Sequence, residues 1–312
     1  MRSAGKSRIL AVPDPQDTPE ATMRIPYRHA LLAIMLWPAL ALAWGPEGHR
    51  IVGDLAQREL TPQAAAAVAD LLKGEPDPTL AGVANWADTM RRDDPDRFKL
   101  TQAWHYVDLP RGDCHYVPQR DCVDGKCVIA AIAAQEKVLA DPSQPRRARI
   151  EALKFVVHFI GDVHQPFHGL GDDKGGNTFQ ISLRTDIAPE AYARDNYING
   201  VQGTNLHSVW DFYILASHDR DAAHYANELA ARAHAIDANA PAEETETSGG
   251  PVDWAEESCR IVTDESLYPP DHKLDATYLE AKRPIAERRL LQAGHRLAAE
   301  LNAALGSSAP HE

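Results

Sequence analysis

The chain has 312 residues, 44% of them hydrophobic and 25% charged, which suits one large soluble domain or two small ones. A formal charge of −13 excludes non-specific electrostatic gripping of polyanions by the protein's own side chains. It leaves room for a polyanionic substrate held through bound cations, which supply positive charge locally.

Residues 1–22 carry no pattern of a structured element, and Met23 then opens "MRIPYRHALLAIMLWPALALA". Arg24 and Arg28 form a basic head, Ala30 to Leu36 an apolar middle, and Ala41-Leu42-Ala43 fits an A-x-A cleavage site. This is the layout of a secretory signal over 23–43, too short for a stable bilayer anchor. The expectation is therefore a mis-assigned extension at 1–22, cleavage before Trp44, and a mature domain over 44–312 in the periplasm or outside the cell. The alternative is a leader that stays attached as a membrane anchor. No other apolar run approaches membrane length.

The mature part is alanine-rich and reads mainly as helices. Thr61, Pro62 and Gly74 supply cap, first turn and stop for a helix over 61–74. Amphipathic spacing predicts a helix over 127–141. A long apolar helix over 146–166 must end near Val163 to Gln165, because Pro166 cannot continue it. Further helices are expected over 206–217, 252–266 and 276–305, with Pro284 starting or kinking the last. Strand signal is thin: 177–184 is one arm of a small β-hairpin. The acidic stretch 238–250 reads as a surface loop. The fold class is all-α, a single mostly helical domain with a small β-hairpin. The sequence has no N-x-[ST] sequon.

Four cysteines in an exported chain point to disulfides, with three pairings possible on paper. The Asp124-Gly125 turn favours joining Cys122 to Cys127, which leaves Cys114 for Cys259. A zinc–thiolate site is the rival, but the usual C-x2-C spacing is missing.

The chemistry lies in the histidines. In "HFIGDVHQPFH", His158 and Asp162 stand four apart on one helix face, and His168 follows beyond Pro166. "HSVWD" repeats the device with His207 and Asp211. Two such pairs facing one core suit a divalent metal, zinc first. Taken alone, each histidine is more often a hydrogen-bonded core residue, but a buried unpaired Asp162 in an apolar helix would be costly. "NWAD" contributes Asp88 and "AWHYVD" contributes His105 and Asp108, while Trp44 and His49 open the mature chain. His164 sits about 120° round the helix from His158 and is expected either to support the ligands from behind or to pack, not to bind metal itself. Trp86, Trp104 and Trp210, beside these residues, read as packing that dries and stiffens the site.

The ordered series "WGPEGH", "WAD", "WHYVD", "HFIGDVHQPFH", "DKGGN" and "NLHSVWD" resembles the zinc-dependent single-strand nucleases of the fungal S-one/P-one type, relatives of the bacterial zinc phospholipases C. The resemblance covers nearly all of the chain after residue 43. It implies three zinc ions. Asp88, His105, His158 and Asp162 would hold the first, and His168, His207 and Asp211 the second. Trp44, through its amine and carbonyl, would hold the third with His49 and a shared Asp162. An α-amine has a pKa of about 7.7–8.0, so it can yield its proton to a metal near neutral pH, and only cleavage exposes it. The resemblance further implies phosphodiester hydrolysis of single-stranded DNA and RNA to 5′-phosphorylated products, with 3′-nucleotidase activity on mononucleotides. Catalytic roles fall to Asp88, Asp162 and Arg91, the last bracing the phosphoryl group. Tyr106 would stack on a base, Asp108 would accept from its edge, and Asn177 in the "KGGN" turn would help form that pocket. The expected state is a monomer with no stable membrane insertion. A zinc phospholipase C is the first rival, although those enzymes usually carry Glu where this chain has Asp211. A non-catalytic zinc-binding protein is the second.

Overall fold

A computed structural model describes residues 44–189, 191–218, 220–237 and 249–306. The extension 1–22, the leader 23–43 and residues 238–248 of the acidic stretch lie outside them.

The first helix, α1 (Pro46–Arg58), begins with proline where a missing N–H costs nothing, and it buries His49, Ile51, Val52, Leu55 and Ala56 along one stripe. In α2 (Pro62–Leu71) the Thr61 hydroxyl accepts from the Ala64 amide, and Gly74 follows with φ +100°, as its role as a stop requires. Three short helices follow: α3 (Leu80–Val83), α4 (Trp86–Asp93) and α5 (Pro95–Thr101). A tight turn, Gln102–His105, ends in extended backbone, and α6 (Pro118–Asp121) leads to α7 (Val128–Ala140).

The centre of the molecule is α8 (Arg146–His164), in which every residue from Ala152 to His164 is buried. A helix buried on all sides must be surrounded, and α8 packs on α1, α4, α7, α12 (Pro251–Asp264) and α13 (Ala276–Leu305). Gln165 is extended, as the residue before a proline should be, and a tight turn over Pro166–Gly169 follows.

The expected hairpin is larger than its sequence signal. Its arm is β1 (Gln180–Arg184), which pairs antiparallel with β3 (Val201–Asn205), Gln180 opposite Asn205. β2 (Tyr197–Ile198) and β4 (Lys273–Leu274) extend this to a four-stranded sheet ordered β2-β3-β1-β4, with β4 parallel to β1. Two-residue strands are below the length at which alternation is readable, and β3 carries Gly203 at its centre, which weakens its strand signal, so only β1 stood out.

The helix expected over 206–217 is interrupted. It runs as α9 (Leu206–Ser208), a π turn (Val209–Tyr213) and α10 (Ile214–Ala216). The Gly45 amide donates to the Asp211 carbonyl at 2.7 Å, an outside partner inserted at the widened turn. α11 (Ala222–Asp237) follows. Pro284 neither starts nor ends α13, whose cap is Asp275; it lies inside the helix and leaves the Glu280 carbonyl without its usual donor. Both disulfides join the expected partners, Cys114–Cys259 and Cys122–Cys127, and no cysteine remains for a thiolate site. Among the described residues no helix is long and apolar enough to cross a membrane.

Candidate metal centre

The long helix brings His158 and Asp162 to one face at its buried centre, both fully shielded from solvent. His158 Nδ1 lies 2.7 Å from the Ala84 carbonyl and must donate to it, so in the neutral, metal-binding form of the ring Nε2 carries the lone pair. That lone pair sits 3.1 Å from His105 Nδ1, 3.4 Å from Asp162 Oδ2 and 3.6 Å from Asp88 Oδ1. His105 arrives from the turn after α5, its Nδ1 3.1 Å from Asp162 Oδ2. Asp88 stands in the first turn of α4, where the helix dipole favours an anion. The other oxygen of Asp162, Oδ1, faces His49 Nε2 at 3.3 Å. One carboxylate therefore serves two sides of the cluster. His49 is itself stacked on His158, ring centroids 4.0 Å apart, and is close enough to Asp88 and His158 to form a ligand group with them.

A second group lies beyond Pro166. His168 Nδ1 donates to the His105 carbonyl at 2.6 Å, and His207 Nδ1 to the Gly175 carbonyl at 2.5 Å. Both Nε2 atoms are then lone pairs, yet they face each other at 3.0 Å. Two bare acceptors at that distance repel unless a cation lies between them. Asp211 Oδ2 completes the group, 3.3 Å from His207 Nε2. Gly175 is obligatory in this geometry. Its φ is +62°, and a Cβ there would lie 2.5 Å from the Phe167 carbonyl oxygen.

The electrostatics fit a cation. His49 Nδ1 and Nε2, His105 Nε2, Asp88 Oδ2 and Asp162 Oδ1 are buried without a hydrogen-bond partner. Burial pushes the His49 imidazole down to about 4 and also depresses His168 and His207, so all three favour the neutral, metal-binding form. Burial opposes a charge on His158 as well, but the Asp162 and Asp88 carboxylates outweigh it and push His158 up to about 9. Burial alone would raise Asp88 and Asp162, yet the adjacent imidazoles hold both below the usual carboxylate range. A cluster that captures a proton so tightly has unbalanced negative charge, which a divalent ion would neutralise.

The comparisons with known proteins agree with this chemistry. The family model described as S1/P1 Nuclease matches residues 44–306. The chain belongs to the S1/P1 nuclease family. Endonuclease 4 of Arabidopsis thaliana is 32% identical over 295 residues, covering 87% of this chain and 92% of that protein. Nuclease S1 of Aspergillus oryzae is 28% identical over 298 residues, covering 89% and 96%. Nuclease P1 of Penicillium citrinum is 33% identical over 174 residues, covering 55% and 58%. The protein is accordingly a nuclease, a hydrolase of phosphodiesters acting on nucleic acid, in a metal-dependent family.

Around the nuclease's candidate metal centre the other expected residues are spread unevenly. From Tyr106 to Leu109 the backbone alternates, Val107 and Leu109 inward, Tyr106 and Asp108 outward on one side, directly after His105. The Val107 amide donates to the His168 carbonyl at 2.8 Å, which ties this strip to the second group. Loss of solvent and the charge of Asp121 hold the Asp108 carboxyl above its ordinary range. Arg91 is exposed in the last turn of α4, about one turn beyond Asp88. Asn177 lies against the second group itself, its Nδ2 2.8 Å from the Lys174 carbonyl oxygen and 3.2 Å from His207 Nδ1. Trp44 is fully buried at the start of α1, over Gly48. Trp210 donates to the Tyr278 hydroxyl at 3.1 Å, and Trp86 and Trp104 pack edgewise on Phe155.

His164 packs as its position on the helix implied. Its Nδ1 donates to the Ile160 carbonyl and its Nε2 accepts from Arg296 at 2.9 Å. Sequence reasoning missed the network around it. Arg289, with no exposed surface, donates to the His164 carbonyl and to Ser258 Oγ, while Glu257 pairs with both Arg289 and Arg296. It also missed Gln165, which sits between the two ligand groups. The available signal was a glutamine beside a proline, placed between Asp162 and His168.

Proposed function

We propose that the protein is an exported, zinc-dependent endonuclease that cleaves single-stranded DNA and RNA to 5′-phosphorylated products and also removes 3′-phosphates from mononucleotides. The observation that carries this reading is the set of three buried His/Asp groups, in which the cluster around His158 leaves ligand atoms without hydrogen-bond partners and shares Asp162, one oxygen turned towards His105 and His158 and the other towards His49. A match to the family model that begins at residue 44 supports removal of the leader immediately before Trp44.

Asp88, His105, His158 and Asp162 would hold one zinc, His168, His207 and Asp211 a second, and His49 and Asp162 a third with the Trp44 amine and carbonyl. When bound, zinc supplies Lewis acidity, which polarises phosphoryl oxygens and brings the pKa of water towards ~7. The chain's own residues provide the setting. The carbonyls of Ala84, His105 and Gly175 fix three imidazole tautomers before any ligand arrives. The phenylalanine and tryptophan rings behind His105 and His158 keep the ligand side of the cluster dry. Tyr106 offers an exposed ring face to an unpaired base, worth about 1–3 kcal/mol per stacked base. Asp108, on the same side, accepts from the base edge, and Asn177 borders this pocket from the second group. Asp88 orients the attacking water while ligating, and Arg91 meets the phosphate from the rim of α4. A base within a duplex cannot reach Tyr106 without losing its own stack, which gives the single-strand preference.

The test is hydrolysis by one purified preparation of single-stranded DNA, duplex DNA, RNA, a 3′-mononucleotide and phosphatidylcholine, before and after chelation and after zinc is returned. Zinc-restored cleavage of the single strands and of the 3′-mononucleotide is expected. Cleavage of phosphatidylcholine alone, or zinc binding without any hydrolysis, would replace this reading.

A further inference from the structure

Gln165 is fully buried between the two ligand groups, and all of its polar groups are engaged. Its backbone amide donates to the Asp162 carbonyl at 2.9 Å, and its carbonyl accepts from the His168 amide at 2.9 Å. Its side-chain oxygen accepts from the Phe167 amide at 2.5 Å. Its side-chain nitrogen donates to Asp211 Oδ1 at 2.5 Å. The amide is unsuited to hold a cation itself, because Nε2 has no lone pair to give and Oε1 is committed to Phe167. What it does is occupy one oxygen of Asp211, which leaves Oδ2 as the atom turned towards His207 Nε2.

We propose that Gln165 is the positioning residue of the second metal group. It fixes which Asp211 oxygen faces the metal, and it holds the backbone step from Asp162 to His168. The proposal rests on the reading of these residues as metal ligands. A hydrophobic side chain of the same length would fill the space, but only an amide accepts from Phe167 and donates to Asp211 at once. The end of α8 has independent support, since Ser258 Oγ donates to the Val163 carbonyl at 2.5 Å and Arg289 Nε to the His164 carbonyl at 3.0 Å. A substitution at Gln165 should therefore release Asp211 without unravelling the helix.

The test is Gln165→Met, stripped of metal, reloaded with zinc alone and titrated against a competing chelator with zinc counted by mass spectrometry. One of the bound ions should be held about 10–100-fold more weakly, as for other groups that orient metal ligands, with the rest unchanged. Reloading with cobalt(II) should likewise lose the absorption of one site. Wild-type affinity for every ion would overturn the proposal. So would a uniform weakening of all sites in step with a lower melting temperature, the mark of a merely structural role. If Gln165→Met does not fold, Gln165→Asn keeps an amide one methylene shorter and should give an intermediate loss at the same single site; unchanged binding there overturns the proposal. A wild-type protein that binds no zinc would instead overturn the metal reading beneath it.

Discussion

Gly161 lies on α8 directly before Asp162, and its backbone is the wall against which His49 rests. A Cβ at this position would stand 2.8 Å from His49 Nδ1 and 3.1 Å from Cε1, whereas ordinary contact begins at 3.4 Å. Gly161→Ala thus requires the ring to retreat by about half an ångström, in a core packed too tightly to absorb the change freely. His49 is 1% exposed, and its stacking on His158 restricts the retreat. Overpacking of this kind costs about 1–3 kcal/mol. Alanine in place of glycine within a helix returns up to about 1 kcal/mol. The net loss of stability should be small, about 0–2 kcal/mol on those figures, while the displacement falls on one ligand. The expected outcome is a folded protein whose melting temperature falls by no more than about 4–8 °C and which loses one zinc at a chelator concentration that the wild type withstands. Differential scanning calorimetry and metal counting on the same samples measure both quantities. A Gly161→Ala protein that keeps full zinc content and affinity would refute the assignment of His49 as a ligand wedged in place by this glycine.

Three further outcomes follow from other parts of the molecule. Tyr106→Ala should raise KM for single-stranded substrates about 5–150-fold, the equivalent of one lost base stack, with kcat nearly unchanged in steady-state kinetics. Burial and the charge of Glu300 push the Glu136 carboxyl up to about 7, so the native state binds the proton more tightly than the unfolded chain. Stability is then unpenalised below the unfolded value of 4.5 and falls as pH rises from there to about 7. Because Glu136 is partly exposed, the penalty is discounted to about 1 kcal/mol, and Glu136→Gln should raise the melting temperature by about 2–4 °C at pH 8 but not at pH 4. Opening the Cys114–Cys259 disulfide, which spans 145 residues, should cost about 5 kcal/mol by loop-closure entropy, read as a lower denaturant midpoint for the Cys114→Ser, Cys259→Ser double variant.

Much of the candidate site was legible because its histidines and aspartates come in local pairs. His158 with Asp162 and His207 with Asp211 follow helical spacing, and a run of turns and caps marks where the helices around them stop. The boundaries near Thr61 and Gln165 followed from single residues whose backbone preferences are strong. What was hidden depends on contacts distant in sequence. The π turn at Val209–Tyr213 goes with an amide from Gly45, far upstream, which no local pattern announces. Strands β2 and β4 are two residues each and exist because β1 and β3 offer them edges. Arg289 and Arg296 look like ordinary charges on an amphipathic helix, and only the fold reveals that they serve His164 and the end of α8. The contact of Asn177 with His207 was hidden too, since the two residues lie 30 apart in sequence.

The central claim is that cleavage before Trp44 exposes an amine that completes a trinuclear centre. It is tested most directly by native mass spectrometry of exported protein whose N-terminal residue has been sequenced, beside a version that keeps one extra residue before Trp44. The account predicts three zinc ions per chain in the first and two in the second. Three ions in both, or a native terminus elsewhere than Trp44, would contradict it.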